Sequence, residues 1–203
     1  MKPDAADRTD AAARLVTAVA PHRAVEDEMA AAGLEVLGPC VHLAQRRDLM
    51  MESALLQDFT ADEVDALGSV MLHVRARPGQ LLIREDDKSD WMMLLLSGTV
   101  DVGKRPVGAT SQAPVQSEAA RLAVLRAGAV LGEMSMLDGE PRFASCWALG
   151  DVEAAVLTRE GVARLIAEQP GVGAKLLVKI TQLLAQRLRN TSHQLMRHLK
   201  GER

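Results

Sequence analysis

The sequence predicts an α+β protein built on a β-roll, a jelly-roll-like pair of sheets closed on itself, with helices before it and one long helix after it. Three observations carry this. Between Leu81 and Leu157 short apolar segments recur at regular spacing, parted by turns most of which carry glycine, the pattern of a sandwich or roll. Helix start signals flank that region, at Thr60 on one side and Thr158 on the other. From about Val172 to Leu199 a mostly apolar seam follows steps of three and four, which predicts one long helix.

Taken in order, residues 1–20 are rich in Ala, Asp and Arg, and a short helix from Ala11 to Ala20 would be loosely held. Glu26 to Leu37 reads as a better helix, with Met29, Leu34 and Leu37 among alanines, interrupted by Gly33 and stopped by Gly38-Pro39. A further segment runs from Val41 to Leu56. Residues 1–55 thus form an N-terminal helical extension, which either packs on the roll or offers a docking surface to a partner protein. The roll occupies 56–170. It opens on a capping box, Thr60 with Glu63, followed by Val64, Leu67 and Met71 on one helical face. Arg77 to Gln80 is a turn, Leu81 to Ile83 a strand, and Glu85 to Asp90 an acidic, solvated turn without the spacing of a calcium loop. Trp91 to Leu96 and Thr99 to Val102 are strands joined at Ser97-Gly98. Lys104 to Arg121 is a long Pro, Gly, Ser and Ala-rich hairpin loop, either disordered or able to fold over a ligand or partner. Leu122 to Leu125, Phe143 to Leu149 and Glu153 to Leu157 complete the sheets.

Thr158 caps a helix with Val162, Leu165 and Ile166 on its apolar face, ending near Pro170. Residues 171–203 form the closing helix. Leu177, Thr181, Leu184, Leu188, Thr191, Leu195 and His198 make a heptad seam on it, widened by Leu176, Ile180 and Leu183. A helix reaching this far beyond its own domain needs a partner, so a parallel homodimer through this helix is expected.

Composition narrows the function. The 203 residues are 48% hydrophobic, enough for one domain with helical extensions, and the net charge of −3 gives no field that would draw nucleic acid or an acidic membrane. The longest apolar runs are strand length and the first residues lack the apolar core of a signal peptide, so no membrane association and a cytoplasmic location are expected. Cys40 and Cys146 read as buried small hydrophobes. Five scattered histidines offer no metal site: His193 and His198 are about 140° apart around the last helix. No nucleophile-base motif or nucleoside-triphosphate loop is present, so no enzyme is expected.

The chemistry concentrates between Leu131 and Ser145. A Gly-Glu pair, Gly132-Glu133, opens one short helical turn; a turn-forming Asp-Gly-Glu-Pro follows, and then Arg142. After a glycine the backbone approaches a ligand closely, and the first N–H groups of a short helix, those of Met134 and Ser135, have no intrahelical partner and suit phosphate oxygens. The guanidinium of Arg142 matches a phosphate in two parallel hydrogen bonds. Glu133 suits a ribose hydroxyl, so the two together fit a ligand with both groups.

This stretch resembles the phosphate-binding cassette of the cyclic nucleotide-binding domain, shared by bacterial cAMP receptor proteins, kinase regulatory subunits and nucleotide-gated channels. The resemblance covers roughly residues 56 to 199. It implies that Glu133 takes the ribose 2′-hydroxyl, that Arg142 pairs with the cyclic phosphate, and that the backbone N–H at Ala144 reaches the phosphate. Arg187-Leu188-Arg189-Asn190-Thr191-Ser192 resembles the matching turn of the dimer helix in the bacterial cAMP receptors. Carried over, Thr191 would meet the base in its own subunit and Ser192 the base bound by the other; the bland alternative is a polar residue that only fixes register. Two positions depart from the family. Asp86 stands where glycine is usual, and Phe143 where a small residue follows the arginine; its ring could narrow the pocket, stack on a base or turn outward.

The implied function is a stand-alone, non-enzymatic cyclic nucleotide receptor, for cAMP, acting through an unidentified protein partner. In the bacterial family the long helix leads into a DNA-reading helix-turn-helix. Here the sequence ends at Arg203 with seven Lys and Arg against one acid from Lys175 onward, read as a solvated cationic face, and no DNA-binding module is expected. The alternatives are a receptor for cGMP or cyclic di-GMP, or an adaptor with a degenerate site.

Overall fold

The computed structural model describes residues 23–105 and 119–199. The short helix expected at Ala11–Ala20 and most of the expected hairpin loop lie outside these residues.

Helix α1 (Arg23–Ala31) stops where Gly33 takes a φ of 79°. The Gly33 N–H bonds Ala30 O and the Leu34 N–H bonds Met29 O, a Schellman ending that satisfies two orphan carbonyls. The chain then enters strand β1 (Glu35–Pro39), antiparallel to β2 (Leu72–Ala76). Residues 35–37, expected to end a helix, are therefore strand. The left-handed glycine breaks the helix, and a partner some forty residues away supplies the new hydrogen bonds. Strand β2 is likewise not anticipated by the sequence pattern.

A short 3-10 turn (Leu43–Gln45) and α2 (Arg47–Glu52) lead to α3 (Ala61–Ser69). At its start Thr60 Oγ1 accepts from the Glu63 N–H and the Glu63 carboxylate accepts from the Thr60 N–H at 2.7 Å, the expected capping box. Strands β3 (Leu81–Ile83), β4 (Trp91–Ser97), β5 (Thr99–Lys104), β6 (Ala120–Arg126) and β7 (Val130–Leu131) follow. Helix α4 (Glu133–Asp138) separates β7 from β8 (Ser145–Ala148) and β9 (Val152–Thr158). The strand expected from Phe143 begins at Ser145, leaving Phe143 and Ala144 free of the ladder. Helices α5 (Arg159–Glu168) and α6 (Pro170–Leu199) close the described chain, with Thr158 Oγ1 capping α5 through the Gly161 N–H.

Two antiparallel sheets face each other, one ordered β1-β2-β9-β4-β7 and the other β3-β8-β5-β6. Strand β4 is buried on both faces, which is why Trp91 to Leu96 reads as an unbroken apolar run. Met93 and Leu95 point between the sheets, joining Val74, Val100 and Val156. Met92, Leu94 and Leu96 point the other way and pack under the helices with Leu67, Leu165, Leu176 and Ile180. Helix α6 is thus anchored by its first turns, with Lys175 bonded to Glu63 and Lys179 to Asp58. Its second half carries exposed Leu188 (69%), Leu195, Met196 and Leu199. Among the described residues no helix is long and apolar enough to cross a membrane.

The turn expected to be a solvated acidic loop is only partly so. Glu85 is 7% exposed and accepts from Lys104 Nζ at 3.1 Å and the Arg105 N–H at 3.0 Å. Asp86 holds a φ of 68°, a left-handed conformation that glycine adopts freely and Asp tolerates.

Candidate functional site

Strand β7 ends at Gly132, whose φ of 75° turns the chain sharply into α4. A Cβ there would collide with Arg142 Nη1, so the glycine is required both by backbone angle and by the arginine packed on it. The turn brings Glu133 inward, where it is 2% exposed, and leaves the Met134 and Ser135 N–H groups on the first turn of α4, which by helix geometry lack intrahelical partners.

Arg142 lies opposite, also 2% exposed. Its Nε donates to Ser89 Oγ at 2.7 Å, Nη1 to Gly132 O at 2.5 Å and Nη2 to Trp91 O at 2.6 Å. The guanidinium stacks 4.1 Å from the Trp91 ring. Burial lowers the pKa of Arg142 from its ordinary value, and nearby carboxylates, Glu28 first among them, oppose that; an arginine starts so high that it keeps its charge. The arrangement is a fixed positive charge at the bottom of a partly dry site, aimed by backbone carbonyls.

A third charged residue completes the site. Arg187, on α6, forms an ion pair with Glu133 through Nη1 and donates from Nη2 to Val130 O at 2.5 Å. It ties the closing helix to the cassette across more than fifty residues. The sequence pattern gives no role to Arg187; the one signal is that it stands four residues before Thr191, on the same side of the helix.

These groups surround a cavity of about 120 Å³. Gly132, Glu133, Met134, Ser135, Arg142, Phe143 and Ala144, all expected from the sequence, line it together with Arg187. Val102, Leu125 and Cys146 add apolar wall, and burial pushes the Cys146 thiol up to about 12, so it is a neutral surface. Thr191 and Ser192 are exposed on α6 and are not part of this lining. Trp91 was expected only as a strand residue. Its indole N–H donates to Glu28 Oε1 at 2.9 Å, so α1 holds the ring on which Arg142 rests. A second cavity, of about 350 Å³, lies between α1 and the β3–β4 turn and touches the other side of Arg142.

The chain's residues 73–169 match the family model of the cyclic nucleotide-binding domain. A solved cyclic nucleotide-binding domain from Methylobacillus flagellatus is 33% identical with a TM-score of 0.68, covering 80% of this chain and 88% of that one. The cyclic AMP receptor protein of Thermus thermophilus is 31% identical over 146 residues, 72% of this chain and 62% of the relative. A cGMP-dependent protein kinase of Caenorhabditis briggsae is 30% identical over 126 residues, 62% of this chain but 15% of the kinase. The chain therefore spans a small part of the kinase and under two thirds of the Thermus receptor.

Proposed function

The chain belongs to the cyclic nucleotide-binding domain family, and on that premise we propose that it is a cAMP receptor, a regulatory protein that changes shape on binding and passes the change to a protein partner. One observation carries the reading. A buried guanidinium and a buried carboxylate, Arg142 and Glu133, face one cavity at the start of a short helix. That pairing suits a ligand with an anionic cyclic phosphate at one end and a ribose hydroxyl at the other.

Arg187 supplies the route from ligand to output. Glu133 accepts from Arg187, so a ribose hydroxyl that bonds the same carboxylate changes what holds α6 against the roll. The ligand shifts the helix only by the difference in its affinity for the two placements. The exposed apolar residues Leu188, Leu195, Met196 and Leu199 meet a second copy, forming a homodimer along α6. Thr191 is one turn beyond Arg187 on the same side of the helix, about 6 Å further along, and reaches the base in its own subunit, while Ser192 reaches the base bound by the other. The receptor works in the cytoplasm and catalyses nothing.

The alternative, an adaptor whose site no longer takes ligand, draws on the same geometry: Glu133 is engaged by Arg187, and three guanidinium donors of Arg142 are engaged by the protein itself. A panel of cAMP, cGMP and cyclic di-GMP against nucleotide-stripped protein separates the two by thermal shift. The receptor reading expects stabilisation by cAMP above the others, lost in Arg142→Lys, which keeps the charge but not the fork. No shift with any of the three supports the adaptor.

A further inference from the structure

The mouth of the cavity carries an aromatic ring held in place from outside. Phe143 lines the cavity, yet is 57% exposed. Lys104 Nζ stands 4.2 Å from the centre of its ring and donates to the Phe143 carbonyl at 2.6 Å. The same ammonium is anchored to Glu85, a buried carboxylate fixed in turn by the Arg105 N–H. One face of the ring is therefore covered by a cation with a fixed address. The exposure that remains is costly for an aromatic group with no partner, and a flat apolar partner would relieve it.

The size of the cavity says which part of the ligand arrives there. Pockets that enclose a small ligand start at about 300 Å³, and this one measures about 120 Å³. It takes the cyclic phosphate and ribose between Arg142 and Glu133, and the base stands at the rim. Phe143 lines the same cavity as Arg142 and Glu133 and is its exposed aromatic residue, so the end of a ligand left outside the cavity comes within reach of the ring.

We propose that the Phe143 ring, clamped by Lys104 and Glu85, is the stacking platform for the purine of the bound nucleotide and makes the site prefer purine over pyrimidine cyclic nucleotides. The inference rests on the receptor reading. Stacking of a base on an aromatic side chain tolerates any base but grows with the area of overlap, so purines gain most. Lys104 acts as a positioning residue, through the ring.

The test uses the full chain and its Phe143→Leu and Lys104→Met variants, titrated with cAMP, with cyclic CMP and with base-free ribose 3′,5′-cyclic phosphate. Phe143→Leu is expected to weaken cAMP about tenfold, to weaken cyclic CMP less and to leave the base-free phosphate unchanged. Lys104→Met is expected to weaken cAMP a few-fold, with the same spared base-free ligand. Cyclic 2-aminopurine riboside monophosphate should be quenched on binding to the natural chain and recover most of its fluorescence in Phe143→Leu. Equal loss for all three ligands, or no loss for cAMP, overturns the platform while the receptor reading stands. Failure of the natural chain to bind cAMP and base-free phosphate overturns both.

Discussion

Replacing Arg187 with alanine tests whether the closing helix is wired to the cassette. The Glu133 side chain is 3% exposed and that of Arg187 43%, so the pair is dry at one end and wet at the other. Breaking a fully buried pair costs about 3–5 kcal/mol, because a charge is left without a partner. An exposed pair contributes about 0–1 kcal/mol. The half-buried geometry, with the Val130 carbonyl also losing its donor, places Arg187→Ala at a loss of about 1–3 kcal/mol. For a chain of this length that lowers Tm by roughly 3–10 °C. The assay is urea unfolding of four proteins: the natural chain, Arg187→Ala, Glu133→Gln and the double variant. A neutral amide needs no counter-charge, so the double variant should recover much of the loss, with a coupling energy of at least about 1 kcal/mol. Strict additivity of the two single changes would refute the wiring.

Three further outcomes follow from neighbouring contacts. Gly132→Ala combines a left-handed φ with a collision at Arg142 Nη1, and should cost more than about 1 kcal/mol in unfolding experiments and weaken nucleotide binding as the arginine is displaced. Glu28→Ala frees the Trp91 indole that supports Arg142, so cAMP affinity should fall a few-fold in a titration, with Glu28→Gln, which keeps an acceptor, restoring most of it. Glu153 accepts from Arg46, and, against some burial, also from Arg75, which together hold its carboxyl down at about 2. A depressed carboxylate stabilises the fold above its ordinary pKa and loses that contribution as pH falls towards 2. Calorimetry should therefore find Glu153→Gln less stable than the natural chain at pH 7, with the gap closing steadily between about pH 4.5 and pH 2.

What the sequence made legible is what is local. The cassette can be read because Gly132, Glu133 and Arg142 lie within eleven residues and their roles follow from backbone angle and charge type. Thr60 and Thr158 announce their helices because a cap is a contact three residues long. Residues 35–37 escaped because Met29, Leu34 and Leu37 keep a helical rhythm across Gly33, and only pairing with β2 shows them to be strand. Glu85 looked solvated because its partners, Lys104 and Arg105, come from the end of another strand. Arg187 and Trp91 joined the site through contacts to residues fifty or more positions away, for which a single sequence has no periodic signal. Thr191 and Ser192 stand exposed on α6; the role expected of Thr191 lies with the base of its own subunit, and that of Ser192 depends on a second copy.

If Arg142 takes a cyclic phosphate while Glu133 takes a ribose hydroxyl, isothermal titration of nucleotide-stripped protein distinguishes cAMP from 2′-deoxy-cAMP. One cAMP should bind per chain, and affinity for the deoxy ligand should be lower by about 10- to 100-fold, the loss expected when a buried carboxylate gives up a hydrogen bond. Equal affinity for the two ligands would contradict the role of Glu133, and no binding of either would contradict the site as a whole.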